Sequence, residues 1–254
     1  MKKLIDTHSH IYYDKYNHDL DEVINRSLDK GIDRIICVGV DLESSIQSLE
    51  IANKYSNVFC TVGYHPHESQ KAINGYLNDL EEMCKDPKVV AIGETGLDYY
   101  YNYSYPEIQK KRFIEQIELA ISLKLPVVIH NRESDNDLYK ILKKYTPKGV
   151  IHCFSSDINF ANKIIDLGLL LSFTGIITFK NSTLSNVIAS IPISKLMVET
   201  DSPYLTPEPY RGKRNEPSYV SIVAEKIAEI KKIPIEDVID QTTSNALKLF
   251  YKLK

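Results

Sequence analysis

Eight short apolar runs, separated by stretches of helical period, set the tightest limit on what this chain can fold into. They read KLIDTH, RIICVGV, VFCTVGYH, VVAIGE, PVVIH, GVIHCF, GLLLSF and KLMVETD. The runs are rich in β-branched residues and lack polar alternation, the pattern of strands buried on both faces of a parallel sheet. The stretches between them are amphipathic. In LDEVINRSLDK, Leu20, Val23, Ile24 and Leu28 share one stripe. In EIQKKRFIEQIELAISLK, Ile108, Phe113, Ile117 and Ile121 do so. Gly31, Gly149 and Gly168 each follow such a stretch, where a left-handed residue ends a helix.

Eight strands alternating with helices in 254 residues predict one α/β domain, a (β/α)8 TIM barrel over residues 1–254. A doubly wound open sheet is the alternative. It usually carries fewer strands and a Gly-rich phosphate loop, and neither GxGxxG nor GxxxxGK[ST] occurs. PIEDVIDQTTSNALKLFYK reads as an extra helical segment closing the chain.

Composition removes several classes. The chain is 43% hydrophobic and 26% charged, as in globular domains, and no apolar run approaches the roughly 20 residues of a membrane span. After Met-Lys-Lys only Leu4 and Ile5 precede Asp6, too short an apolar stretch for a signal peptide, so a cytoplasmic chain is expected. Cys37, Cys60, Cys84 and Cys153 form no CxxC pair and read as buried free thiols. The net charge of -3 argues against a protein that coats nucleic acid by bulk charge. It leaves room for an enzyme acting on a phosphodiester, because a bound metal supplies local positive charge.

Six of the seven histidines lie at or just past the C-terminal end of an apolar run: His8, His10, His65, His67, His130 and His152. Glu94 ends VVAIGE, and Asp201 ends KLMVETD. In a barrel these ends converge on the C-terminal rim, where active sites are built. A lone histidine at a strand end is more often a hydrogen-bonded structural residue, and a lone acid an N-cap or ion-pair partner. Runs 1, 4, 5, 6 and 8 all ending in His, Glu or Asp favour one shared site. Imidazole and carboxylate suit Zn, Mn, Ni or Mg. Six such ligands are too many for one tetrahedral ion but suit two divalent metal ions sharing a carboxylate, the arrangement of in-line displacement enzymes. Residues i and i+2 of a strand point the same way, so His8 and His10 can hold one ion.

IDTHSH, VGYHPHE, IGETGLDYY, VIHNRES, IHCFSS and ETDSPYLTPEPYRGKRNEPSYV together resemble the motifs of the TatD family of metal-dependent deoxyribonucleases. The likeness runs in order from residue 5 to about residue 247, where TTSNALKLF resembles the closing motif. HxH alone is a weak sign; the ordered set is specific. The resemblance implies a hydrolase acting on DNA, of the 3'-5' exonuclease type. It implies one metal on His8, His10, Glu94 and Asp201, with Glu94 bridging to a second metal on His130 and His152. Asp201 and Glu94 would be the catalytic carboxylates, Asp201 orienting or deprotonating water. His65 and Arg132 would face substrate phosphate. The family usually has an aliphatic residue where Thr95 stands and Gly where Ser156 stands.

Arg211, Lys213 and Arg214 form a basic patch after the last run. It reads either as phosphate contact, with Arg211 binding substrate, or as a surface loop paired with Glu208 and Glu216. Tyr99, Tyr100, Tyr101, Tyr103 and Tyr105 are expected to pack over the barrel rim rather than stack on bases. The same metal site could serve another ester or amide bond, such as an aminoacyl-tRNA ester. Barrels of that wider group often place a carboxylated lysine where this chain has Glu94. A metal-holding barrel without turnover is a third reading. DNA is the expected partner, with no membrane and no obligate protein partner, and a monomer is expected.

Overall fold

A computed structural model describes residues 3–101 and 103–253. All eight apolar runs are strands, and each hydrogen-bonds its sequence neighbour in parallel. In chain order the elements are β1 (Leu4–Ser9), α1 (Leu20–Asp29), β2 (Ile32–Val38), α2 (Leu42–Lys54), β3 (Val58–Val62) and α3 (Tyr76–Met83). Next come β4 (Val89–Asp98), α4 (Pro106–Leu123), β5 (Val127–Arg132), α5 (Asp135–Tyr145), β6 (Gly149–Ile151) and α6 (Ile158–Asp166). The chain ends with β7 (Leu170–Phe173), α7 (Ser185–Ser190), β8 (Leu196–Val198), α8 (Val220–Lys231) and α9 (Ile235–Leu249). The strand order β1 to β8, with a parallel bridge from Ser9 to Ser202, brings the last edge back to the first. This is a TIM barrel.

Successive crossovers bury both faces of the sheet, hence the apolar runs without alternation. One core lies between strands and helices. The other fills the barrel and its floor: Ile5, Ile36, Val38, Val90, Val128, Val150 and Met197 meet Ala246, Phe250 and Leu253 from the C-terminal segment. Cys37, Cys60 and Cys84 are buried free thiols and Cys153 is half-buried. No helix among the described residues is long and apolar enough to cross a membrane.

Several local expectations shift. Leu28 and Ile121 are exposed, so each helix is rotated from the predicted stripe. On α4 the buried face instead carries Gln109 and Gln116. Gln109 accepts from Asp98 N and donates to Asp98 O, both at 2.9 Å. Gln116 accepts from Tyr64 N at 2.7 Å and donates to Thr95 Oγ1 at 2.8 Å. These amides satisfy backbone groups where the sheet runs out of strand partners, and they give Thr95 a partner that an aliphatic residue lacks. Gly31 and Gly168 adopt the expected left-handed conformation, but Thr146 takes that role after α5. Gly149 is instead the first residue of β6, where an added Cβ would lie 2.5 Å from Val127 O. Glu94 does not end β4, which continues to Asp98.

Candidate metal centre at the C-terminal rim

The loops and strand ends of the rim carry the buried polar residues. Asp201 sits just past β8 with a left-handed backbone, a conformation Asp tolerates better than most residues. Its N–H donates to His8 O at 2.9 Å, and His10 N–H donates to Ser202 O at 2.7 Å. Asp6 fixes the same seam: its carboxylate accepts from Thr200 N at 2.9 Å and Thr200 Oγ1 at 2.6 Å. On β4, Gly93 and Gly96 lie in a region of φ that favours glycine. An added Cβ at Gly96 would come within 2.0 Å of His130 O, so β4 and β5 pack closely only because Cβ is missing there.

Glu94 stands at the centre, almost fully buried. Its Oε2 faces His8 Nε2 at 3.3 Å and His10 Nε2 at 3.9 Å. Its Oε1 faces His152 Nε2 at 2.8 Å, His130 Nδ1 at 3.0 Å and His65 Nε2 at 3.4 Å. Asp201 Oδ1 lies 3.4 Å from His10 Nε2 and 3.7 Å from His8 Nε2. Among the described residues, three overlapping groups have donor atoms all within 4.8 Å of one another: His8, His10 and Asp201; His8, Glu94 and His152; His65, Glu94 and His130. The structure thus gathers His8, His10, Glu94, His130, His152 and Asp201, with one oxygen of Glu94 turned toward each histidine set.

The outer partner of an imidazole decides which nitrogen faces inward with a lone pair. Among the described residues His8, unlike His10, His130 and His152, has no protein group facing its Nδ1. His10 Nδ1 donates to Val38 O at 2.8 Å, leaving Nε2 to the site. His130 Nε2 donates to Asp98 Oδ2 at 2.9 Å, since a carboxylate only accepts, leaving Nδ1 inward. His152 Nδ1 faces Glu199 Oε1 at 3.4 Å, leaving Nε2 inward. Glu199 is held in turn by Cys153 N–H and Ser172 Oγ, each at 2.7 Å. His65 differs. Its Nδ1 accepts from His67 N–H at 3.1 Å, so its proton is on Nε2 and points inward as a donor. The inward nitrogens of His8 and His10 lie 3.2 Å apart, and those of His130 and His152 3.3 Å apart. Such pairs repel unless a cation or a proton lies between them, and four imidazoles with two carboxylates are a fitting donor set for a divalent metal that takes the place of the protons.

The clustered carboxylates and rings also shift one another's titration. Burial raises the Glu94 carboxyl, but His152, His65 and His130 outweigh it and hold it well below the usual carboxylate range. Burial likewise raises Asp201, and His10 and His8 bring it below. Burial lowers His65 well below the ordinary imidazole value. Burial also lowers His152, but Glu94 and Glu199 outweigh it and hold that ring well above.

The cluster forms the base of a cavity of about 830 Å³, with Tyr13, His67, Tyr101, Tyr103, Arg132, Ile176, Tyr204 and Leu205 in its wall. Arg132 is exposed, its guanidinium 3.8 Å from the Tyr100 ring centroid. Of the five tyrosines expected to pack over the rim, Tyr99 packs against the core, while Tyr100, Tyr101, Tyr103 and Tyr105 are exposed, Tyr101 and Tyr103 each in a T-shaped ring contact with His67. The four exposed rings follow the extended part of β4, beyond the reach of the helix layer. Arg211 is not among the cavity-lining residues; it lies over the Phe179 ring at 3.7 Å. Arg214 pairs with Asp19, and Glu216 is taken by Arg26, so neither predicted arginine pairing forms with Glu208 or Glu216. Ser156 donates to Asp135 at 2.9 Å, and its φ is not positive, so its loop does not require glycine.

Asp98, Glu199 and Asp6 were missed as positioning groups, and His67 was counted at the rim without a role. Asp98 was readable: it is four residues past Glu94 and so on the same face of an extended strand. Its Oδ2 contacts His130 and also His67 Nε2 at 3.0 Å, while Oδ1 accepts from Tyr100 N–H and Tyr101 N–H.

A family model described as TatD related DNase matches residues 5–251. The uncharacterized metal-dependent hydrolase YabD of Bacillus subtilis is 41% identical, over 97% of this chain and 98% of its own length. The uncharacterized metal-dependent hydrolase YcfH of Escherichia coli K12 is 35% identical, over 98% and 96%. Among solved structures, the TatD homolog YJJV from Escherichia coli superposes with a TM-score of 0.93 at 28% identity, covering 98% of each chain. A hydrolase TatD family protein from Entamoeba histolytica gives 0.89 at 29%, covering 99% of each. Barrel, clustered donors and full-length relatives agree: the chain belongs to the family of TatD-related DNases and is a metal-dependent hydrolase.

Proposed function

We propose that this hydrolase cleaves phosphodiester bonds in DNA, removing nucleotides from the 3' end of a strand. The observation that carries the reading is the split of Glu94, one carboxylate oxygen toward each histidine set, at the base of a cavity edged by Arg132 and tyrosine rings. The family's description as DNases supports the choice of bond. His8, His10, Glu94 and Asp201 would hold one divalent ion, and Glu94, His130 and His152 a second. When bound, such ions acidify water and neutralise charge on phosphate.

The chain's own groups do the rest. Asp201, held below its ordinary carboxyl value by its imidazole neighbours, accepts the proton of the attacking water on its carboxylate. His65 presents a fixed Nε2–H to a phosphate oxygen, the part its tautomer allows. Arg132, stacked on Tyr100 and Tyr101, offers its guanidinium edge to phosphate while its face stays on the rings. Every proposed ligand comes from one chain, so a monomer has the complete site.

The test is cleavage of end-labelled single-stranded DNA beside a carboxylic ester panel and aminoacyl-tRNA. The reading expects DNA shortening that stops on chelation and in Glu94→Ala and Asp201→Ala. Turnover of aminoacyl-tRNA with no loss of DNA would instead favour the ester reaction.

A further inference from the structure

We propose that Lys15, Arg211 and Lys213 form a track beside the cavity that holds the part of a single polynucleotide strand lying outside it. The proposal rests on the reading of DNA as substrate, and it concerns a surface outside the metal-donor cluster. All three side chains are exposed. Each lies against an aromatic ring: Lys15 Nζ is 5.3 Å from the Tyr204 centroid, Arg211 Cζ 3.7 Å from Phe179, and Lys213 Nζ 5.6 Å from Tyr210. None is within ion-pair distance of a carboxylate among the described residues.

Arg214, in the same loop, shows the contrast. It grips Asp19 with two hydrogen bonds of 2.7 and 2.6 Å, so its charge is spent on fastening the loop to the segment before α1. The other three keep their charge available. A cation neutralised by a carboxylate adds little to attraction of phosphate; one resting on a ring keeps its donors facing water.

Their placement joins them to the site. Tyr204 is part of the cavity wall, and Lys15 reaches it from the turn after β1. Phe179 directly follows the 3-10 turn Gly175–Thr178, whose Ile176 is also in the wall. Glu208 N–H donates to Thr178 Oγ1 at 2.9 Å, and Thr206 Oγ1 donates to Lys213 O at 2.6 Å, so the loop after β8 is folded against that turn. The track therefore begins at the Tyr204–Leu205 side of the cavity, whereas Arg132 serves the Tyr100–Tyr101 side. Cations alternating with partly exposed rings match a single strand, whose phosphates and unpaired bases are both open to contact.

The test is binding of fluorescein-labelled oligothymidylates of three and twenty nucleotides to the full chain with EDTA present. The wild type is expected to bind the longer strand more tightly. In Lys15→Ala/Arg211→Ala/Lys213→Ala this length advantage is expected to vanish, and the slope of log affinity against log salt for the long strand to become shallower by about 2, three contacts at about 0.7 each. Lys85→Ala, which removes a cation paired with Glu82 ahead of β4 and far from this loop, is expected to leave both readouts as they are. A triple variant that keeps the advantage and the slope overturns the track, as does a wild type that binds both lengths alike. Turnover is read separately: a wild type that prefers the long strand yet cleaves no phosphodiester overturns the proposed reaction, not the track.

Discussion

At the floor of the barrel, Phe250 and Leu253 close onto Ile5, Ile36, Val90 and Met197, all apolar and almost wholly buried. At the rim, elements of the same barrel bring Asp6, His8, Glu94, Asp98, His152 and Glu199 to equal burial. Burying apolar surface stabilises the fold by roughly 25 cal/mol per Å². Burying carboxylates and imidazoles costs stability unless each finds a partner. The floor holds the barrel shut, and the rim is kept for what its donors bind.

Five substitutions would break or sharpen this contrast. The largest effect belongs to Glu94→Ala and Asp201→Ala. Charge stabilisation worth several kcal/mol is about a 10³-fold fall in kcat. The melting temperature of the chelated protein should move less than in a floor variant, because nearby imidazoles can release protons when the carboxylate goes. Phe250→Ala should do the opposite. Its cavity costs about 3–5 kcal/mol, a melting point lower by about 10 °C, while kcat of the folded fraction is retained. Scanning calorimetry and rate measurements on the same preparations check both.

Asp98→Asn lies between these extremes. It weakens the hold on His130 and His67 without opening a cavity, and metal titration should show affinity reduced about 10- to 100-fold. The smallest effect is at Asp19, on the outer side of the loop after β8. Arg214 holds its carboxyl down to about 2. Its folded pKa is below the unfolded value of about 3.9, so its stabilisation is present above pH ~4 and fades as pH falls toward 2. Asp19→Asn should remove that part of the acid sensitivity in a melting-temperature profile and leave metal affinity alone.

The floor and the rim also differed in how far they could be read from sequence. Strand order was legible because apolar runs such as RIICVGV have one low-energy environment, buried on both faces. Helix faces were read less well: Ile121 fits a stripe as well as Gln116 does until the backbone of Tyr64 and the hydroxyl of Thr95 require an amide partner. The clustered donors were legible from their positions at run ends and from the family motifs. Their supports were not. Asp98 was hidden by ending β4 too early, and Glu199 by the nearer claim of Asp201. Arg211 and Arg214 are nearly adjacent in sequence, yet one lies on Phe179 and the other locks to Asp19, a difference set by contacts far along the chain.

The central claim is that Glu94 joins two metal positions at the rim. Calorimetric titration of the chelated protein with Mn²⁺ or Zn²⁺ tests it most directly, with wild type and Glu94→Ala side by side. The account predicts two equivalents bound per wild-type chain, and in Glu94→Ala the loss of at least one with the other weakened. Two equivalents of unchanged affinity in Glu94→Ala would contradict it.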